Sequence, residues 1–115
     1  MRYLLLICTD ESTDQAMSPD EASARMAKYG AFGDEMGRRG VLQGGARLHP
    51  TGDATTVKVR DGEVLTFDGP FAETKEQIGG YYLVDCKDLD EAIEIASKIP
   101  GALEGSIEVR PIWEM

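Results

Sequence analysis

Two short runs decide most of what this chain can fold into. Tyr3-Leu4-Leu5-Leu6-Ile7-Cys8 and Tyr81-Tyr82-Leu83-Val84 are apolar at every position, not at every second one. A strand of that kind is covered on both faces and belongs at the centre of a sheet. Each run is followed by a segment with helical spacing and then by a further strand-like stretch, so the chain reads as two similar halves.

In the first half, Thr9 to Met17 is polar and reads as a loop. Ser18-Pro19-Asp20-Glu21 then opens a helix: Ser18 caps it, Pro19 suits the first helical position and Glu21 completes a capping box. Ala22, Met26, Tyr29, Gly33 and Met36 recur at helical spacing as one buried stripe, with Arg38-Arg39 at the negative end of the dipole and Gly40 as the stop. Gly30, Gly33 and Gly37 weaken this helix in isolation. Val41 to Leu48 is a second strand, in which Gly44-Gly45 marks a bulge or a close backbone approach, and His49-Pro50-Thr51-Gly52 closes it.

A hairpin follows. Thr55–Arg60 and Glu63–Asp68 flank the two-residue turn Asp61-Gly62, which sets the register: Arg60 faces Glu63, Val59 faces Val64, Val57 faces Thr66 and Thr55 faces Asp68. Val57, Val59, Val64, Thr66 and Asp68 share one face. Gly69 to Ile78 reads as a loop. In the second half Asp88 caps a helix with Glu91 as its box partner. Leu89, Ala92, Ile93, Ala96 and Ile99 form its stripe, and Pro100-Gly101 ends it. Ser106-Ile107-Glu108-Val109-Arg110 alternates as a last strand, continued by Pro111-Ile112-Trp113.

The order is strand, helix, strand, inserted hairpin, strand, helix, strand. Two right-handed halves of this kind predict a ferredoxin-like α+β sandwich, βαββαβ with an inserted β-hairpin, forming a single domain over residues 1–115. The two runs apolar on both faces take its central positions. Its helices cover one face of the sheet, and the other apolar face calls for a second copy of the chain, so a homodimer with sheets face to face is expected.

Charge and cysteines narrow the function classes. Twelve Lys and Arg against 21 Asp and Glu leave a net charge of −9, a surface that repels nucleic-acid phosphates and anionic lipid. Neither nucleic acid nor a membrane is an expected partner, and no apolar run approaches the ~20 residues of a membrane span. Cys8 and Cys86 match no zinc or redox spacing and read as buried thiols in a cytoplasmic protein. No phosphate-binding loop, dinucleotide fingerprint, zinc-protease or serine-hydrolase motif is present in the sequence, and no cofactor is implied.

Four features could carry chemistry. His49, the one histidine, closes a strand and is the natural acid–base group near neutral pH, although a lone strand-end histidine is more often a satisfied or solvated side chain. Asp68, on an inward face of the hairpin, could orient it, or merely cap the turn made by Gly69 and Pro70. Glu73-Thr74-Lys75-Glu76 is either a self-neutralising loop or a rim carrying Lys75 to an anionic ligand. Tyr81 and Tyr82 point to opposite faces, one to the core and one to the open sheet, and Glu108 and Arg110 share one side of the last strand as a charge pair or a polar wall.

The stretch Asp68-Gly69-Pro70-Phe71-Ala72-Glu73-Thr74-Lys75-Glu76-Gln77-Ile78-Gly79-Gly80-Tyr81-Tyr82 resembles the YciI-related family, and within it the branch known for its D-G-P-F motif. Leu48-His49-Pro50, the Asp-Gly hairpin and the start of the second helix fit the same branch. The resemblance implies a dimeric α/β barrel and a cleft with a His–Asp pair, here His49 and Asp68. It also implies either a reaction on a small polar or aromatic metabolite or, since genes of the branch often neighbour extracytoplasmic-function sigma factors, a regulatory role. Three readings follow. One is a cofactor-independent lyase or isomerase in which His49 moves a proton, Asp68 orients it and Lys75 or Arg110 holds an anion, with Tyr81 and Tyr82 as further ligand contacts. Another is a non-catalytic module that binds a small molecule or a protein and is linked to transcriptional control. The third is a bare structural dimer.

Overall fold

A computed structural model describes residues 1–115. Its strands are β1 (Arg2–Thr9), β2 (Leu42–Arg47), β3 (Thr55–Arg60), β4 (Glu63–Asp68), β5 (Gln77–Asp85) and β6 (Ser106–Pro111), and its helices are α1 (Glu11–Gln15), α2 (Pro19–Arg39) and α3 (Leu89–Ser97). Short 3₁₀ turns lie at Thr51–Asp53 and Pro100–Leu103. Four strands form an antiparallel sheet in the order β2-β5-β1-β6, while β3 and β4 pair only with each other. This is a mixed α+β arrangement compatible with a ferredoxin-like one, and the two continuously apolar runs, β1 and β5, do occupy its centre.

The pleat divides β1 cleanly. Tyr3, Leu5, Ile7 and Thr9 are buried, while Arg2, Leu4, Leu6 and Cys8 on the opposite side are half-buried. The buried row lies beside Val84, Tyr82 and Gly80 of β5 and beside Val109 and Ile107 of β6. Phe32 and Met36 of α2 and Ala92, Ile95 and Ala96 of α3 close over it, with Ile99 just beyond. Each fully buried Leu, Ile, Val or Met here contributes roughly 1.5–3 kcal/mol.

Helix α2 starts as its sequence dictates. Ser18 Oγ accepts from the Glu21 backbone N–H at 3.1 Å, and Glu21 Oε1 accepts from the Ser18 N–H at 3.2 Å. It stops at Gly40, whose φ of 72° only glycine adopts at no cost. The buried stripe differs from the expected one. Phe32 and Met36 are its buried members, whereas Ala22 and Met26 are exposed. In α3 the buried set is Ala92, Ile95 and Ala96, and Leu89 and Ile93 are half exposed. Ala92, Ala96 and Ile99 keep their expected places in the stripe, and Ile95 takes the buried position in place of Leu89 and Ile93, so the buried face is rotated part of the way round the helix. Its capping box is also half made: Asp88 accepts from the Glu91 N–H, but Glu91 turns back to the Lys87 N–H at 2.8 Å.

Two segments expected as loops carry structure. Residues 11–15 form α1, capped by Asp10, and β5 begins at Gln77, inside the stretch assigned to a loop. Gly45 shows the expected close approach: a Cβ there would stand 2.7 Å from the Tyr81 carbonyl oxygen and 2.8 Å from the Tyr82 ring, beside the bulge between Leu42 and Gly44.

The hairpin has the register that the Asp61-Gly62 turn dictates, all six pairs included, with both turn residues at positive φ. Its placement corrects one expectation. The face bearing Val57, Val59, Val64 and Asp68 is not inward within the chain; the three valines are 58–68% exposed and Asp68 is exposed as well. Only the other face finds company, where Lys58 lies 5.5 Å from the Phe67 ring centroid and 5.6 Å from that of Phe71.

Candidate functional site

Antiparallel pairing brings the end of β1, the end of β2 and the start of β5 to one edge of the sheet: Thr9, Arg47 and Gly79 meet there. Three hollows open around that edge. One of about 340 Å³ runs under the first half of α2, between the helix and the sheet. One of about 440 Å³ continues outward past Arg47 to His49. The third, about 630 Å³, lies beyond His49 against Cys8, Phe71 and Ile78. The first two share Thr9, Asp14, Arg47 and Gly79, and the outer two share Leu48, His49 and Pro50. His49 therefore stands on the divide between them.

Local structure holds His49 there. Glu11 of α1 accepts from the Thr51 backbone N–H at 2.7 Å and from its hydroxyl at 2.8 Å, which anchors the 3₁₀ turn to the end of β1. That turn places Asp53 Oδ2 3.2 Å from His49 Nδ1, with both side chains largely exposed. Asp53 is the carboxylate that His49 touches. No hydrogen bond or ion pair joins His49 to Asp68. Asp68 is tied to the same neighbourhood through its backbone: the Gly69 N–H donates to the Ala54 carbonyl at 2.7 Å, and the Thr56 hydroxyl donates to the Gly69 carbonyl at 2.9 Å. The sequence signal for Asp53 was an acidic residue one short turn beyond the histidine.

The other candidate residues separate. Arg110 is taken up by Glu108 at 2.6 Å on the face of the sheet away from the helices, opposite Leu4 and Leu6. Lys75 is exposed in the loop before β5. Tyr82 is on the helix side, its ring 4.9 Å from that of Phe32, and Tyr81 is on the opposite side. Tyr82 lines the hollow under α2 from the helix side, whereas the Tyr81 side chain faces the open side of the sheet. Burial raises the pKa of the Tyr82 and Tyr29 hydroxyls above the ordinary tyrosine value.

Sequence reasoning passed over the polar wall of the inner hollow. Arg25 reaches from α2 to Asp14 and Glu104, and Asp14 also accepts from the buried Thr9 hydroxyl at 3.4 Å. Burial works against the Arg25 charge, but Asp14 and Glu104 more than offset it, so its pKa is raised. Arg47 lines the two inner hollows and makes no ion pair; its one side-chain bond is a weak one to Met26 Sδ at 3.8 Å. The signal for Arg47 was strand parity: it sits on the helix-facing side of β2, opposite Gly80, where an apolar residue would be ordinary. In the outer hollow, the Gln77 amide oxygen is buried without a partner. Both cysteines are free. Burial, with Glu108 and Glu76 nearby, pushes the Cys8 thiol up. No three His, Cys, Asp or Glu side chains converge as a metal site, and no helix is long and apolar enough to cross a membrane.

Comparison with known proteins places the whole chain. The model of the YCII-related domain matches residues 1–115. An uncharacterised protein of Rhizobium meliloti (strain 1021) is 43% identical over 114 residues, covering 97% of this chain and 92% of that protein. The chain thus belongs to the YCII-related family.

Proposed function

We propose that the protein binds a small metabolite at the His49 edge of its sheet and acts on it as a cofactor-independent lyase or isomerase. One observation carries this reading: His49 sits where the hollows meet, with Nδ1 held by Asp53 and Nε2 uncommitted. An imidazole that donates Nδ1–H to a carboxylate presents Nε2 as a base and becomes an imidazolium the carboxylate stabilises. His49 would take a proton from the ligand through Nε2 and return it at a second position. Asp68, at the hairpin root that abuts Ala54, is the second carboxylate of this arrangement, and Tyr82, on the helix side, is its tyrosine contact, while Tyr81 faces the open side of the sheet. Lys75 is the cation of the outer rim. Arg110 has no part in holding an anion while Glu108 occupies it.

The test is a stability-shift screen of a metabolite collection on wild type and His49→Ala, followed by product analysis of each hit. A ligand at ~100 times its dissociation constant adds about 2.7 kcal/mol. The reading expects a hit that wild type converts and His49→Ala binds without converting. Equal conversion by both would remove His49 from the chemistry, and binding without conversion by either would leave a ligand-binding module.

We further propose that the protein is a homodimer joined through the open face of its sheet. Leu4, Leu6, Tyr81 and Leu83 form a half-buried patch there that no helix covers, and packing a second sheet on it would complete a dimeric α/β barrel. Light scattering is expected to give twice the chain mass, and Leu6→Asp to halve it. A wild-type monomer at micromolar concentration would contradict the dimer.

A further inference from the structure

The first half of α2 has an apolar face with nothing packed beneath it. Ala22 and Met26 continue the spacing of Tyr29, Phe32 and Met36, yet they face a hollow of about 340 Å³ where the later residues face core. Below them the sheet carries Gly45 and Gly80, which contribute no side chain to fill the space. The volume falls within the range of small-molecule sites.

The charges around the hollow are unequal. Arg25 is satisfied by Asp14 and Glu104. Arg47, at the mouth where this hollow joins the one leading to His49, has no carboxylate partner. A planar guanidinium with free donors matches the two oxygens of a carboxylate. Asp14 lines the same space and the chain carries a net charge of −9. One unpaired cation in those surroundings suits a single negative charge and disfavours a dianion.

We infer that this hollow is the binding site for a monocarboxylate with an apolar, ring-sized body: the carboxylate meets Arg47 at the mouth, and the body lies between Met26 and Tyr29 above and Gly45, Gly80 and Tyr82 below. The inference rests on the reading of the His49 edge as a small-molecule site and names the chemical class that site takes. Methionine and tyrosine are suited to the body, one adaptable and one flat.

The experiment is a ¹H–¹⁵N chemical-shift titration with 3-phenylpropionate, its neutral amide 3-phenylpropionamide and inorganic phosphate. The proteins are wild type, Arg47→Met and His49→Ala. The acid is expected to saturate wild type and to shift amides of Gly45, Arg47, Met26 and Tyr29. The amide, and the acid on Arg47→Met, should bind at least about tenfold more weakly, the scale of one lost charge-assisted hydrogen bond. Arg47→Met keeps an apolar stem, and an unchanged spectrum away from β2 shows that it is folded. His49→Ala should bind the acid as wild type does. Equal binding of acid and amide, undiminished binding to Arg47→Met, tighter binding of phosphate, shifts confined to another surface, or no saturation by the acid would each overturn the site. His49→Ala conversion assays test the catalytic reading separately: a neutral compound converted by wild type alone would sustain that reading while this one falls.

Discussion

The two halves of α2 face the same sheet and have opposite surroundings. From Phe32 to Met36 the helix is sealed against Tyr82 and the α3 side chains, with Met36 wholly buried. From Ala22 to Met26 it roofs a hollow floored by glycines and walled by Arg25, Asp14 and Arg47. The same apolar periodicity runs through both. What differs is what the sheet offers in return: Leu5 and Val84 under one half, and Gly45 and Gly80 under the other. Apolar spacing on a helix marks a face that needs a partner, and that partner is core in one half and, on this account, a ligand in the other.

Substitution can break the comparison. Met36→Ala should cost about 2–5 kcal/mol in denaturant unfolding, whereas Met26→Ala, in a residue 52% exposed, should cost less than about 1 kcal/mol. Equal losses would mean that the two halves are packed alike. Gly45→Ala comes next: its Cβ would press on the Tyr81 carbonyl and the Tyr82 ring, so a loss of about 1–3 kcal/mol is expected. If the variant is as stable as wild type, the sheet beneath the hollow yields more easily than its geometry implies. Ser18→Ala removes the cap of the roofing half, at about 1 kcal/mol. Helix fraying read by amide exchange should stay ahead of Phe32; fraying that spreads through Met36 would show the two halves to be one cooperative unit. Gly30→Ala lies at the junction, with nothing within 4 Å of the added methyl, and should stabilise by about 0.5–1 kcal/mol.

The smallest effect is electrostatic. Hydrogen bonding to Arg39 holds the Glu94 carboxyl below its ordinary range. A carboxylate depressed in the folded state adds stability above its unfolded pKa and loses it as pH falls through the folded one. Arg39→Ala should therefore lie below wild type at neutral pH and converge with it in acid. A difference that grows in acid would reverse the sign and remove the pair from the account.

Much of the fold was legible because its signals are local. The Ser18–Glu21 box, the Gly40 stop and the Asp61-Gly62 turn are each set by backbone chemistry within a few residues, and all three are present. The centre of the sheet was legible because the two runs apolar at every position, Tyr3–Cys8 and Tyr81–Val84, are those with a neighbouring strand on either side. The site was less so. His49 was found by residue type, but its partner Asp53 depends on a 3₁₀ turn pinned by Glu11 from forty residues away. Asp68 was placed on an inward row, yet the hairpin stands off the body and leaves that row bare, a matter of tertiary placement that alternation does not encode. Arg47 was readable only by parity across a bulge, where counting from either end gives a different face.

The most direct measurement is hydrogen exchange along α2, free and with saturating 3-phenylpropionate. The account predicts slow exchange from Phe32 to Arg39 in both states. It predicts faster exchange from Ala22 to Tyr29 in the free protein, slowed when the acid is bound. Uniform protection along the free helix, or protection by the acid anywhere but the roofing half and the Arg47 strand, would contradict it.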